Sequence, residues 1–263
     1  MQRAIHVFAR TTCFVFFFCI AISSWAQIGT DFWLAPPDIT DLNNPPGGEP
    51  IYLYVQSQSA SDASVTVQQP ANGAFTPIVV TVFAGKTVRI NLTAFKNSLE
   101  TRPTNTINNT GLRVSSTQPV SVQYVIANTN NTDMLMLKGD NALGLLFYIP
   151  LHKHPPFFNN TFSAPHLAFA SFDVVATQNG TELTIYSRVP VDGHPANQQF
   201  TVSLNAGQTY SCGFTGTSGC VGSYENPSSH PAGCVVISDK PVAVSIKDDA
   251  DHNPSGGCTD LLA

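Results

Sequence analysis

The densest group of chemistry-bearing side chains in the 263-residue chain is Asp248, Asp249 and Asp251, with His252 and Asn253 beside them and Asp260 closing the run. Carboxylate and amide oxygens gathered on a loop suit Ca²⁺, which takes six to eight oxygen ligands in irregular geometry. The spacing is not that of an EF-hand, since no Glu follows at the twelfth position. The competing reading is a polar connection in which Asp and Asn close local backbone turns. No cofactor is expected, and calcium at Asp248, Asp249, Asp251 and Asp260 is the one metal candidate. His152 and His154 would share one face of an extended segment. The other histidines bring no matching spacing, and Pro155-Pro156 reads as a linker.

Cysteine is the next chemistry to place. Cys13 and Cys19 lie in an N-terminal apolar stretch, whereas Cys212, Cys220, Cys234 and Cys258 all fall in the last quarter of the chain. An even number in an exported chain favours two disulfides, and the expected pairs are 212–220 and 234–258. The intervening lengths of seven, 13 and 23 residues lack the short Cys-x-x-Cys knuckles of a zinc site. Nucleophile motifs are missing: there is no Gly-x-Ser-x-Gly elbow, P-loop or His-Glu-x-x-His. A glycosidase carboxylate pair would have to combine one of the few glutamates with a distant Asp. Trp33, Phe32, Tyr52 and Tyr54 offer aromatic faces on which sugars can stack, although a buried anchor is the natural role of Trp33.

Arg3 and Arg10, an apolar run over residues 13–22 and Ser24-Trp25-Ala26 form a signal peptide over residues 1–26, with cleavage after Ala26. The run is half the length of a bilayer span, which needs about 20 residues. Removal of the leader takes away two of 12 basic residues and none of 17 acidic ones, so the mature net charge is 10 − 17 = −7. That acidity argues against nucleic acid, whose phosphates call for Lys and Arg. No later stretch could span a membrane as a helix.

The elements that must position these residues are β throughout. Short alternating runs rich in Val, Ile and Tyr, such as Ile51-Tyr-Leu-Tyr-Val55 and Val88-Arg-Ile-Asn-Leu92, are separated by Asn, Gly, Pro and Ser. Asn72-Gly73 and Asn179-Gly180 are hairpin dipeptides. Short helical turns are expected only near residues 92–99 and 140–144. Val80-Thr-Val-Phe-Ala-Gly-Lys-Thr87 resembles Val202-Ser-Leu-Asn-Ala-Gly-Gln-Thr209, and the block ending Pro119-Val-Ser-Val122 resembles that ending Pro241-Val-Ala-Val244. Both matches have the same shift of 122 positions. Ser64-Val-Thr-Val67 pairs with Glu182-Leu-Thr-Ile185, and Thr132-Asp-Met-Leu135 with Thr259-Asp-Leu-Leu262. The expected fold is all-β: two tandem, internally duplicated β-sandwich-like halves over residues 27–150 and 151–263. The prolines should mark corners where one strand ends and another begins. The second half is expected to be truncated, because it shows no counterpart of Leu145-Leu-Phe-Tyr-Ile-Pro150 before Ala263.

Gly29-Thr-Asp-Phe-Trp-Leu-Ala35, the Val202–Thr209 block, Val236-Ile-Ser-Asp-Lys-Pro-Val242 and Cys258-Thr-Asp-Leu-Leu262 resemble the IgGFc-binding protein N-terminal domain family. The resemblance implies a non-enzymatic, secreted or cell-surface adhesion module within a larger exported protein. Such a module would recognise an extracellular glycoprotein or polysaccharide. A structural spacer presenting other domains and a carbohydrate-active enzyme are the alternatives. The antibody-binding activity in the family name maps onto no residue motif here.

Overall fold

The computed structural model describes residues 27–38, 50–127, 132–151, 169–215, 232–252 and 259–262. The first unit comprises β1 (Gly29–Leu34), β2 (Ile51–Ser57), β3 (Ala63–Gln68), β4 (Ile78–Val82), β5 (Thr87–Asn91), β6 (Ile107–Asn108), β7 (Leu112–Ala127) and β8 (Thr132–Leu137). The second comprises β9 (Gly144–Tyr148), β10 (Phe169–Ala176), β11 (Thr181–Ser187), β12 (Gln198–Leu204), β13 (Thr209–Thr215), β14 (Val235–His252) and β15 (Thr259–Leu262). Among the described residues, helical structure is confined to the expected places. A 3-10 turn at Thr93–Phe95 leads into α1 (Lys96–Leu99), and another turn spans Gly139–Ala142.

Each unit is organised by one long strand that serves two layers. The first part of β7 pairs with β3 and β1, and its second part with β2 and β8. The first part of β14 likewise pairs with β11 and β9, and its second part with β10 and β15. Strand order is β4-β3-β7-β2-β5 in one unit and β12-β11-β14-β10-β13 in the other. Equivalent registers agree pair by pair. Val67 faces Val114 as Ile185 faces Val236, and Leu53 faces Ile90 as Phe172 faces Cys212. The two units are thus tandem halves of one architecture.

The repeated sequence blocks have physical counterparts. Gly85 and Gly207 adopt φ of 65° and 80° in the matching tight turns, which a side chain would strain. The Ser116 and Ser238 hydroxyls both donate to the carbonyl two residues on, at 2.7 and 2.6 Å, just before Pro119 and Pro241. The prolines do not end a strand, contrary to expectation: β7 and β14 run through them unbroken. The strand changes partners there, so the missing N–H falls where no single ladder needs it. Gly180 has the left-handed φ of a turn at 63°, whereas Gly73 does not.

The structure departs from the expected boundary at 150/151. β9, expected to close the first half, pairs with β14 in the second unit. Its registers are those of β1: Phe32 faces Val114 and Phe147 faces Val236, while Gly29 faces Val120 and Gly144 faces Val242. Gly-x-x-Phe-Trp-Leu at 29–34 and Gly-x-x-Phe-Tyr-Ile at 144–149 are a further pair of equivalent blocks. The strand thought missing after Ala263 is therefore already present, at the start of the second unit.

Each unit has its own core. Phe32, Leu53, Val65, Val114 and Tyr124 anchor the first, and Phe172, Leu183, Ile185, Tyr210 and Val236 the second. Alternate residues of β2, β3 and β11 point inward, following the two-residue strand period.

Candidate functional site

Two opposite faces of equivalent strands meet very different fates. On β10 and β14 the side chains pointing away from the core are Ser171, Asp173, Ser245 and Lys247, joined by Ser211 of β13, and all are buried. They are covered by the first unit. The Ser245 hydroxyl donates to the Ala35 carbonyl, Asn105 N–H donates to the Ser211 carbonyl at 2.9 Å, and Gly111 N–H donates to the Gly207 carbonyl at 3.1 Å. β6 adds directly to the edge of β13, placing Ile107 opposite Tyr210. Thr104 bonds Asp192 at 2.7 Å, and Thr110 meets Thr209 at 2.8 Å.

A chain of charges runs under this seam. Arg102 lies 3.5 Å from both Asp38 and the buried Glu100. Asp173 has no exposed surface, and burial pushes its carboxyl up to about 7. The Ser211 hydroxyl and the Lys247 charge oppose that rise, Asp38 reinforces it, and Ser171 opposes it at 3.4 Å. With Asp173 uncharged, Glu100, Arg102, Asp38 and Lys247 balance to zero.

At the seam's edge the His194 ring stacks on Phe200 with centroids 3.5 Å apart, and its Nε2 lies 3.0 Å from Asn105 Oδ1. Burial lowers its pKa below the ordinary value of 6.5. The folded state therefore binds fewer protons than the unfolded one. The resulting stability is fully present above about pH 6.5 and is lost as pH falls through the folded value. Urea midpoints should drop between pH 7.5 and 5.5, and His194→Gln should shrink that drop. An undiminished drop in the variant would assign it to other groups.

In the first unit the equivalent outward face is open. Tyr52 and Tyr54 sit at alternate positions of β2, edge to face with centroids 6.2 Å apart. The Arg89 guanidinium lies 4.6 Å above the Tyr52 ring, and Gln123 stands opposite Tyr54. Trp33, expected to anchor the first sandwich, is buried but against the second unit, with Val175, Ala243 and Ala35. Asp31 and Arg113 hold it from the outer side through a 2.7 Å ion pair, with the guanidinium 5.1 Å from the indole. An apolar cavity of about 450 Å³ lies beside it, bordered by Leu137, Phe147, Ala243 and Lys138.

Asp248, Asp249 and Asp251 belong to strand β14 rather than to a loop, and Asp260 to β15. The sheet places Asp251 directly opposite Asp260 in backbone register. Among the described residues Cys212 and Cys234 form no disulfide; both lie in the second core, where burial pushes their pKa values up. Cys234 donates to the Ser187 hydroxyl at 3.1 Å. The expected partners Cys220 and Cys258, like His152, His154 and the leader expected over residues 1–26, lie outside the described residues. Sequence reading missed Asp173 and Lys247, because a lone Asp and Lys in alternating strands look like solvent-facing residues.

The fold and its faces define a class: a tandem β-sandwich module with one sealed polar face and one open aromatic one. A family profile described as IgGFc binding protein matches residues 132–263, half of the chain, and the chain belongs to that family. The matched span covers β8 and the whole second unit, while the β1 residues of the resemblance precede it. No curated protein matches the chain.

Proposed function

We propose that the chain is an extracellular binding module that recognises glycoprotein or polysaccharide through the β2 face of its first unit. The observation that carries this reading is the paired Tyr52 and Tyr54 with Arg89 stacked above. Flat aromatic rings beside amide and guanidinium donors match the alternating apolar and hydroxyl surfaces of a sugar. The corresponding face of the second unit is spent on the seam, which leaves this one for a ligand. Family membership supports a binding role, since the family is described by binding and not by a reaction. Among the described residues no helix is long and apolar enough to cross a membrane.

The test is binding to a glycan and mucin array, with an antibody Fc fragment in parallel. Tyr52→Ala and Tyr54→Ala should each weaken glycan capture about tenfold, the effect of roughly 1.4 kcal/mol of lost stacking. Melting temperature should stay unchanged, because both rings are partly exposed. Capture of Fc alone, or glycan capture that survives both substitutions, would overturn the reading. The spacer alternative rests on β6, which locks the units together and suits a rigid arm.

A further inference from the structure

We propose that Lys247 and Asp173 are joined by an intramolecular amide that cross-links β14 to β10 beneath the seam. Ser171 faces Lys247 and Asp173 faces Ser245 in the antiparallel ladder, so the two residues are diagonal neighbours on one face. Such neighbours lie about 7–8 Å apart, within the span of a lysine's four-carbon stem. Both side chains have 0% exposure. Holding a separate ammonium and carboxylate there costs several kcal/mol per ion. Asp173 Oδ2 has no hydrogen-bond partner.

The surroundings favour the reaction. Burial pushes the Asp173 carboxyl up to about 7, so near neutral pH its acid form, which can lose hydroxyl as water, is populated. Ser171 donates to Asp173 Oδ1 at 3.4 Å and polarises the carboxyl. Asp38 reaches this site from the first unit and is backed by Arg102 at 3.5 Å, so a further carboxylate is available to relay a proton. The Lys247 ammonium first gives a proton to the Asp38 carboxylate; the neutral amine then attacks Asp173 Cγ, an N–Cγ bond forms, and the Cγ–OH bond breaks. Asp38 hands its proton to the departing hydroxyl and takes one from the attacking nitrogen, so one water leaves and Asp38 ends protonated. Nothing is oxidised or reduced. Fixed strands give such a pair effective molarities of about 10⁵–10⁸ M. The seam keeps out the water that would reverse the step. The product amide removes two ionisable groups from the site.

Mass spectrometry of the full chain, reduced and unfolded, decides the matter. The protein should be lighter than its sequence by one water, about 18 Da. A branched tryptic peptide should link the Asp173 segment to the Lys247 segment, with no cleavage after Lys247. Asp173→Ala and Lys247→Arg should each restore the full mass. If the alanine variant does not fold, the arginine variant alone carries the comparison. A wild-type chain with the full mass and cleavage after Lys247 overturns the proposal. So does a water loss that persists in Lys247→Arg.

Discussion

Trp33→Ala should lower the melting temperature by about 10 °C, whereas Tyr148→Ala should shift it by no more than about 2 °C. The two residues hold the same position in the two units, since Trp33 faces Arg113 and Tyr148 faces Val235 in the matching registers. Their surroundings differ. Trp33 is 9% exposed and packs on Val175 and Ala243 of the other unit, while Tyr148 is 70% exposed. Truncating a buried Trp costs about 3–5 kcal/mol through lost transfer energy and the cavity left behind. An exposed ring on an edge strand gives up little. Differential scanning calorimetry on both variants checks this, and equal shifts would mean that the seam contributes nothing at Trp33.

Gly111→Val should uncouple the two units. A Cβ at Gly111 would sit 2.5 Å from the Gly207 carbonyl oxygen and 2.6 Å from Val175 Cγ2. The Gly207 oxygen also accepts the Gly111 N–H, so it cannot retreat without losing that bond. Overpacking of this kind costs about 1–3 kcal/mol, and more where backbone meets backbone. Gly73 has nothing within 4 Å of its Cβ direction, so Gly73→Val serves as the neutral control. Urea unfolding should split from one transition into two in Gly111→Val, because each unit keeps a core of its own. A single, unshifted transition would show that the seam yields at this point.

Much of the architecture was legible in the chain itself. Two-residue periodicity, turn glycines at Gly85 and Gly207, and blocks repeated at a shift of 122 residues carry local information. They identify strands and their equivalences because the backbone geometry of a strand or a tight turn depends on neighbouring residues. The unit boundary was harder to read. Phe147 and Tyr148 look like a closing strand until the ladder shows β14 as their partner, and pairing across about 90 residues leaves no local mark. The corner at Pro119 was likewise misjudged, since an unbroken strand with changing partners has the same sequence as two strands.

The sequence by itself determined an all-β chain of two equivalent halves with a net acidic charge. Only the tertiary structure decided which outward faces remain open. Ser171 and Asp173 occupy the positions that Tyr52 and Tyr54 occupy in the first unit. Alternation predicts that all four point away from their own core, and they do. Whether such a residue meets water or another unit depends on residues far away in the chain, here Ala35, Asn105 and Gly111. That contact buries Asp173 and Lys247 and leaves the tyrosine face free, because one seam can cover only one of two equivalent faces.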